Sequence, residues 1–402
     1  MQKLITWLSE SFAPKMKKVF ANPWLAALSS AMQKNIPFIL TGSIIYFYQA
    51  IRSHFLSLPD LGIIASFSFG MLGIITAFFI ANQIMEKLRL PQYTVNAGLT
   101  SICVFLVFCN PNISNGLYSV NFERLGPTGI LIGIITGVIV ALVFSNYNKL
   151  GLTSKSTMPD FINKWIDNIV PIGVLLGIAT LAVFKLNIDI FNVIVLIFSP
   201  LISFGQTLPG FILLSLIPAF FYSMGISTWT FQAIQIPVFM AGINGNIQQA
   251  AAGLTPDHFV TFEIFYTAGL ITMGGVGCTL ALNILMMLSK KKDLKSLGYV
   301  CIGPSLFNIN EPLMYGGPVI FNPMLMIPLW INAITGPVVV WAFMKFEWMD
   351  VPAKIIQVGQ IPPPFGSVLV TGDFRALICY ALLFTLYLLT WFPFFKAYEK
   401  TR

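Results

Sequence analysis

Charged side chains are scarce in this 402-residue chain, where Asp, Glu, Lys and Arg together make up 9% of the residues. A soluble domain carries roughly 25% of these residues, and a soluble protein of this size needs them to cover its surface. The hydrophobic fraction of 56% and the mean hydropathy of +0.80 agree with the deficit. The composition argues against soluble enzymes, nucleic-acid-binding proteins and disordered regulators, and it favours a protein that crosses a membrane several times.

Histidine and cysteine, the common ligands of zinc, are also rare: the chain has two histidines and five cysteines. The sequence contains no C-x-x-C pair and no Cys/His cluster, which argues against a metal site. The cysteines lie in apolar stretches, so we expect them to be buried as small hydrophobic residues. A cofactor is not expected either, since Gly274–Gly277 departs from the G-x-G-x-x-G spacing of nucleotide-binding loops.

What the chain does contain is a series of long apolar runs. A helix needs about 20 mostly apolar residues to cross a hydrocarbon layer of about 30 Å. The runs cover 36–51, 61–83, 94–109, 128–144, 169–184, 188–204, 208–226, 262–288, 323–345 and 374–395. We therefore predict an all-α polytopic membrane protein with on the order of ten transmembrane helices.

The basic residues, which give the chain its net charge of +8, are interpreted as markers of membrane topology and lipid contacts. Residues 1–34 form a basic amphipathic segment with no cleavable signal peptide, and the positive-inside rule places them in the cytoplasm. The lysines of 290–295 then mark the cytoplasmic side, whereas the Asn-rich stretch 110–121 falls outside. No nucleic-acid partner is expected.

The apolar pattern is regular in the first half of the chain and interrupted in the second. We predict an N-terminal transmembrane scaffold over 35–167, ending in an interfacial linker at 155–167, and a substrate-binding part over 168–402. Polar residues, Gly and Pro interrupt the pattern near 227–261 and 298–322. Irregular backbone survives at membrane depth only where it is buried in protein or lines a cavity, and transporters use such breaks as binding sites.

The segment 304–318 is the most informative interruption. It contains Glu311, and no basic residue lies between Lys295 and Lys345 to neutralise that carboxylate. Ionisable residues inside a bilayer are costly and are functional candidates by default. Glu311 therefore either serves a binding site within the membrane or lies in a water-exposed loop.

Pro312 disfavours the α conformation at the preceding residue, so a helix is predicted to stop at Glu311. If this stop is the tip of a re-entrant hairpin, Asn308, Asn310 and Glu311 offer amides and oxygen acceptors to sugar hydroxyls, or a proton or cation site. If it is a loop in water, Glu311 caps a helix. The sequence leaves both alternatives open.

Two groups of glycines elsewhere in the chain give weaker expectations. Gly129, Gly133 and Gly137 form a small-residue ridge suited to close helix contact, within or between protomers. Gly274–Gly277 is expected to serve close helix packing or close approach to a ligand.

Four polar residues are expected to be peripheral. His258 follows Thr255-Pro-Asp257, which predicts a helix N-terminus capped by one of these residues. It either lies there or contacts substrate. Glu263 is expected to mark the membrane interface. Asp373 and Arg375 are expected to pair with each other or with headgroups, or to contact ligand.

The Asn308–Pro312 segment resembles the Asn-Glu-Pro signature of membrane subunit IIC of the phosphoenolpyruvate-dependent sugar phosphotransferase system, in its lactose/cellobiose/chitobiose family. The resemblance covers nearly the whole chain in order. It includes Phe12–Lys17, Ile36–Phe38, Met273–Leu282, Phe321–Pro323, Thr371–Asp373 and Phe392–Tyr398.

This resemblance implies a homodimer in the bacterial cytoplasmic membrane, with ten transmembrane helices per protomer and two re-entrant hairpins in its C-terminal half. It implies that a sugar enters from outside and is phosphorylated in the cytoplasm by a separate IIB subunit, which is charged by IIA. The protein itself would carry no phosphoryl group and would present the sugar hydroxyl.

Glu311 matches the substrate-binding glutamate of that family, which implies contact with the phosphorylated hydroxyl and a possible role as general base. The sequence departs from the family pattern at two other places where that family contacts the sugar. Ser227 stands where the family has a sugar-binding histidine, so Ser227 and Thr228 are the candidate contacts there. Gly359–Pro362 replaces an aromatic stretch, and Trp229 is a candidate substitute.

Four functions remain after these observations. The first is a permease for a β-linked disaccharide or glycoside of the cellobiose, chitobiose or lactose type. A secondary sugar transporter uncoupled from phosphoryl transfer is the second, motivated by the missing histidine. A sensor or scaffold on the same fold is the third. A membrane enzyme is the fourth, although no nucleophile–base pair supports it.

Overall fold

The computed structural model describes residues 13–52, 58–153, 156–357 and 361–401, and nearly all regular structure among them is helical. This confirms the predicted helical fold class. One short antiparallel hairpin, β1 (Asn112–Ser114) with β2 (Leu117–Ser119), lies in the Asn-rich stretch that was predicted to be external. Residues 1–12, His54 and the 359–360 part of Gly359–Pro362 lie outside the described residues.

The first half of the chain contains eight α-helices among its described residues. They are α1 (Ala13–Phe20), α2 (Pro23–Arg52), α3 (Gly62–Phe67), α4 (Leu72–Lys87), α5 (Thr94–Phe108), α6 (Ile130–Leu150), α7 (Asp160–Thr180) and α8 (Ile190–Gly205). A π-helical stretch, Leu181–Lys185, extends α7.

The second half has shorter and more interrupted helices. They are α9 (Leu208–Tyr222), α10 (Gln232–Ala251), α11 (Leu280–Met287), α12 (Lys292–Leu306), α13 (Glu311–Gly316), α14 (Pro323–Lys345), α15 (Pro363–Thr371) and α16 (Ala376–Thr401). A π-helix, Glu263–Thr267, stands alone between α10 and α11.

Six helical stretches among the described residues are long and apolar enough to cross a membrane, or up to seven if the bent pair α8–α9 is one span. The six are Gly62–Lys87, Pro91–Phe108, Pro127–Leu150, Asp160–Lys185, Pro323–Lys345 and Ala376–Lys400. Each covers a predicted apolar run. The structure supports a multispan membrane protein, and the count of ten spans stays a prediction.

One expectation about the apolar runs is wrong. The run 262–288 is not one clean span, because three glycines in the turn 274–277 have positive φ values that an α-helix cannot accommodate. The run therefore divides into the π-helix, an irregular turn and α11. Helix α7 begins at Asp160, within the predicted interfacial linker 155–167, whose place at the interface stays a prediction.

The helices α8 and α9 meet at 90°, and Gln206 stabilises the irregular backbone beside this bend. Its Nε2 donates to the carbonyl oxygens of Val238 at 3.0 Å and Val260 at 2.8 Å, and its Oε1 accepts from Val260 N at 3.2 Å. Thr207 caps α9 by accepting from Gly210 N. The Gln206 amide thus satisfies the non-helical backbone of Val260 and joins it to α10.

The described residues form two compact units. The N-terminal unit comprises Val19–Pro200 and Trp229–Pro237. The C-terminal unit comprises Leu201–Thr228 and Val238–Arg402, together with the described residues up to Lys18. The predicted division of function between 35–167 and 168–402 stays a prediction.

A half-buried ion pair joins two segments of the N-terminal unit. The Arg124 guanidinium donates twice to the Asp189 carboxylate, at 3.1 and 2.8 Å, and lies 4.7 Å from the centre of the Phe191 ring. Burial raises the pKa of Asp189, but the hydrogen bonds from Arg124 and Asn192 lower it more, so it lies below its ordinary value. The carboxylate is therefore charged at neutral pH and ties residue 124 to the linker before α8.

The glycine ridge of α6 packs against α4 within the N-terminal unit. A Cβ added at Gly133 would overlap the Gly73 carbonyl oxygen and lie 3.1 Å from Ala77 N. One added at Gly137 would lie 2.6 Å from Ile80 Cβ. The absence of side chains therefore lets the two helices approach closely, as the spacing predicts.

We expect Gly133→Ala to destabilise the protein, because the overlap is with backbone that must move. Overpacking of this kind costs about 1–3 kcal/mol, so thermal unfolding in detergent should begin at a lower temperature. Gly177→Ala on α7 is the matched control, since nothing lies within 4 Å of its added Cβ. Equal melting temperatures for the two variants would contradict this account of the ridge.

Candidate functional site

The segment predicted to carry function is a tight connection between two helices of the C-terminal unit. Helix α12 ends at Leu306 and α13 begins at Glu311. Asn308 turns the chain with a φ of 61°, a conformation that asparagine tolerates better than most residues. The expected helix stop at Glu311 is therefore wrong in detail: Pro312 lies in the first turn of α13, where a missing N–H costs nothing.

Asn310 holds this connection in place with all the donors of its side chain. It is 3% exposed, and its Nδ2 donates to Val276 O at 2.9 Å and to Thr279 Oγ1 at 3.0 Å. Its Oδ1 accepts from the Tyr222 hydroxyl at 3.2 Å. One amide thus joins the connection to α9 and to the turn before α11.

Asn308 makes a second set of links. Its Oδ1 accepts from Gly274 N at 3.0 Å, and its Nδ2 donates to Ile361 O at 3.1 Å. The amides of both asparagines are therefore engaged with protein atoms in this structure. Their direct contact with a ligand stays a prediction, while their structural role is visible.

Gly275 explains why the glycine block lies beside this connection. Its φ is +105°, and an added Cβ would overlap the side chain of Asn310. Gly275 therefore allows close approach to the Asn-Glu-Pro segment, while Gly277 confirms the expected close helix packing, since an added Cβ there would overlap Leu329 of α14. Thr279 completes the turn by donating to Gly274 O at 2.7 Å.

Glu311 differs from its neighbours because its carboxylate is exposed and accepts no hydrogen bond from the residues that the structure describes. It lies within electrostatic range of the Tyr222 and Tyr315 hydroxyls. A rigid support that carries one uncommitted carboxylate can accept hydrogen bonds from hydroxyl groups of a ligand, or take a proton from one of them.

The other predicted contacts follow α9. The chain leaves the helix at Gly225, and Ser227 and Thr228 come next, both half-buried. A 3₁₀ turn over Thr228–Phe231 contains Trp229, which is half-buried and belongs to the N-terminal unit. Within the C-terminal unit, α9 reaches the Asn-Glu-Pro connection through the hydroxyl of Tyr222.

Sequence reasoning missed two members of this arrangement. Tyr222 and Thr279 were not candidates, because nothing in their spacing relates them to Asn310. Glu263 was expected at the interface, yet it is fully buried. Its Oε1 accepts from Ile356 N at 3.2 Å and Gln357 Nε2 at 3.3 Å. Its apolar neighbours in sequence were the available signal for burial.

His258 does not begin a helix as expected, since residues 252–260 are non-helical. The side chain of Asn246 binds the backbone of His258 in both directions, at 2.8 and 2.9 Å, and also donates to Pro352 O at 2.9 Å. The His258 Nδ1 lies 3.0 Å from Asp257 Oδ1. Asn246 thus bonds to the non-helical backbone of this segment, as Gln206 bonds to the backbone of Val260.

A cavity of about 820 Å³ lies at one end of the C-terminal unit, lined by charged residues that include Asp257, Lys345, Glu347, Asp350 and Arg375. Helix α16 starts beside this cavity. Near its other end the Glu399 carboxylate accepts from Lys290 N at 2.9 Å. The cavity therefore lies at the end of α16 opposite the lysines of 290–295.

The charge pairing at this cavity is centred on Arg375. Arg375 binds Asp373, Asp350 Oδ1 at 2.8 Å and the Glu347 carbonyl oxygen at 2.9 Å, which confirms the predicted pairing with Asp373. Burial raises the pKa of the Asp373 carboxyl. Hydrogen bonds from Arg375 and from Asp350 N lower this pKa by a larger amount, so it lies below its ordinary value. Glu347 in the cavity lining is also exposed, so the preference for the Glu311 connection rests on its support by the side chains of Asn308 and Asn310.

Among the described residues, no group of three His, Cys, Asp or Glu side chains is arranged to hold a metal ion. Four of the five cysteines are buried as predicted, whereas Cys103 is exposed.

The chain is similar in sequence to components of a sugar transport system. Residues 29–333 match the family model described as "Phosphotransferase system, EIIC". The lactose-specific EIICB component of Staphylococcus epidermidis is 27% identical over 100% of this chain and 71% of that protein. The lichenan permease IIC component of Bacillus subtilis is 24% identical over 100% and 95%, respectively.

A solved structure shares the fold. The transporter ChbC, the IIC component from the N,N'-diacetylchitobiose-specific phosphotransferase system, superposes with a TM-score of 0.82 at 22% identity. The match covers 98% of each chain.

We expect Gly275→Ala to disturb the connection that carries Glu311, because alanine is strained at this φ and its Cβ would displace Asn310. A cost of about 1–3 kcal/mol is typical of such backbone strain, so the melting temperature in detergent should fall. Gly303→Ala on α12 is the control, since no atom lies within 4 Å of its added Cβ. Unchanged stability of Gly275→Ala relative to this control would disprove the close approach.

Proposed function

The chain belongs to the EIIC family of the phosphotransferase system, and we propose that it is the permease for a β-linked disaccharide or related glycoside. Proteins of this family work with a sugar substrate and with separate IIA and IIB partners. The sugar would bind from outside, cross the membrane, and have one hydroxyl phosphorylated by IIB in the cytoplasm. The chain would bind and present the sugar without being phosphorylated itself.

The names of the relatives support this substrate class. They include components specific for lactose, lichenan and oligo-β-mannoside, all of which contain β-linkages. We infer that the substrate here is also β-linked, of the cellobiose, chitobiose or lactose type. The resemblance and the positions of the lysines further lead us to propose a homodimer in the bacterial cytoplasmic membrane, with a cytoplasmic N-terminus.

The observation that carries the proposal is the uncommitted carboxylate of Glu311 on a connection that is otherwise fully hydrogen-bonded. A carboxylate accepts short, strong hydrogen bonds from hydroxyl donors. It can also take the proton that a hydroxyl must lose when it attacks a phosphoryl group. Glu311 would therefore bind the hydroxyl that becomes phosphorylated and act as its possible general base.

Asn308 and Asn310 support Glu311 in this proposal. Their amides are bonded to Gly274, Val276, Thr279 and Ile361, so they hold the α12–α13 connection against the turn before α11. A direct contact of either amide with the sugar would add to this role. Ser227 and Thr228 would donate or accept hydrogen bonds through their hydroxyls, and Trp229 would offer an aromatic surface.

Uptake of labelled cellobiose, chitobiose and lactose tests the proposal in cells that express this chain with and without the cognate IIA and IIB. We expect uptake only when both are present, with phosphorylated sugar inside. Free sugar inside without them would replace the proposal with a transporter that is uncoupled from phosphoryl transfer. Binding without flux would indicate a sensor.

Glu311→Gln should weaken sugar binding strongly while the protein still folds, because the carboxylate has no structural partner to lose. A hydrogen bond to a charged group is worth about 1.5–3 kcal/mol, which corresponds to roughly 10- to 100-fold in affinity. Isothermal titration of purified protein with the transported sugar measures the change. Glu347→Gln, a change at another exposed carboxylate, is the control and should bind normally; equal affinities for the two variants would remove Glu311 from the site.

A further inference from the structure

An exposed aromatic ring accompanies the Glu311 carboxylate on α13. Tyr315 lies four residues after Glu311, so the two side chains project from the same face of the helix. Both are exposed, and Tyr315 keeps 55% of its surface accessible.

Tyr222 fixes the position of this ring. The Tyr222 and Tyr315 rings meet edge to face, with centroids 5.9 Å apart and an interplanar angle of 73°. Tyr222 is itself 2% exposed and is anchored by its hydroxyl bond to Asn310. An edge-to-face contact covers at most one face of Tyr315, so the other face of that ring is available to a ligand.

A pyranose ring is bound through both polar groups and aromatic side chains. Its hydroxyls lie around the edge of the ring and are bound by polar groups, while its C–H bonds form apolar faces that pack on aromatic side chains. Binding sites for small ligands combine apolar and aromatic walls with a few placed polar groups. Glu311 and Tyr315 provide one of each, on one turn of helix.

We propose that Tyr315 is the aromatic surface on which the sugar ring packs while Glu311 holds the hydroxyl of that same ring. This inference rests on the proposed function and deepens it, because it assigns the ring contact to a residue that no motif singled out.

Other aromatic residues near α9 are less available for this contact. Trp330 donates its Nε1 hydrogen to Ser223 Oγ at 3.1 Å and packs on Phe220 with ring centroids 5.0 Å apart. Tyr222 is buried. Trp229 belongs to the N-terminal unit and has contacts of its own.

Binding of cellobiose and lactose to purified Tyr315→Leu, Tyr315→Phe and Tyr315→Trp tests the inference. We expect Tyr315→Leu to lose roughly tenfold in affinity, the scale of one aromatic contact. Tyr315→Phe and Tyr315→Trp keep a ring and should bind within about threefold of the parent if the contact is through the ring face. Melting temperatures should be unchanged, because the side chain is exposed.

Phe374→Leu is the matched control. Phe374 is 77% exposed and precedes α16, at the cavity end of the unit. This variant removes an exposed ring of similar size, and we expect it to bind sugar like the parent. A loss in Phe374→Leu equal to that in Tyr315→Leu would show a general effect of exposed rings and overturn the assignment.

The remaining outcomes separate this inference from the proposed function. Unchanged binding by Tyr315→Leu, with weakened binding by Glu311→Gln, would overturn the role of Tyr315 and leave the permease proposal standing. Equal losses in the Leu, Phe and Trp variants would show that the hydroxyl and not the ring makes the contact, which also overturns it. Failure of the parent protein to bind any of the sugars would overturn the proposed function and this inference together.

Discussion

The need to satisfy backbone hydrogen bonds in an apolar surrounding controls the C-terminal unit of this protein. Inside a membrane a chain that leaves the helix exposes N–H and C=O groups that water cannot reach. Here four side-chain amides bond to such groups: Gln206 at Val260, Asn246 at His258 and Pro352, Asn308 at Gly274 and Ile361, and Asn310 at Val276. Each amide both donates and accepts, so one residue joins two segments and makes an irregular path stable.

The same constraint isolates Glu311. The side chains of Asn308, Asn310 and Thr279 stabilise the α12–α13 connection through hydrogen bonds to other protein atoms. The connection is therefore held by hydrogen bonds to distant segments, and in the proposed permease its carboxylate would be left to the sugar. A support held in this way favours binding, because little conformational freedom has to be lost when the ligand arrives.

The sequence predicts the helical runs well because membrane spans carry their signal locally, in the length and hydropathy of one segment. It also identifies Glu311, because a carboxylate in an apolar region is conspicuous by itself. It fails where the outcome depends on residues distant in the chain. The pairing of Tyr222 with Asn310 joins positions 88 residues apart, and the break in 262–288 depends on how closely Gly275 approaches Asn310. The expectation for His258 fails for the same reason, since Asn246 binds its backbone in place of a helix.

Serine at position 227 limits which groups of the proposed site can transfer a proton. A hydroxyl there can bond to a sugar, but unlike imidazole it cannot take up a proton near neutral pH. Among the described residues of the C-terminal unit, His258 is engaged beside Asp257, and Glu263 is enclosed with Ile356 and Gln357. Glu311 is exposed and accepts no hydrogen bond from the described residues. In the permease that we propose, removal of a proton from the sugar would therefore fall either to Glu311 or to the phosphoryl donor, and a ring surface beside this carboxylate would hold the sugar in a single orientation.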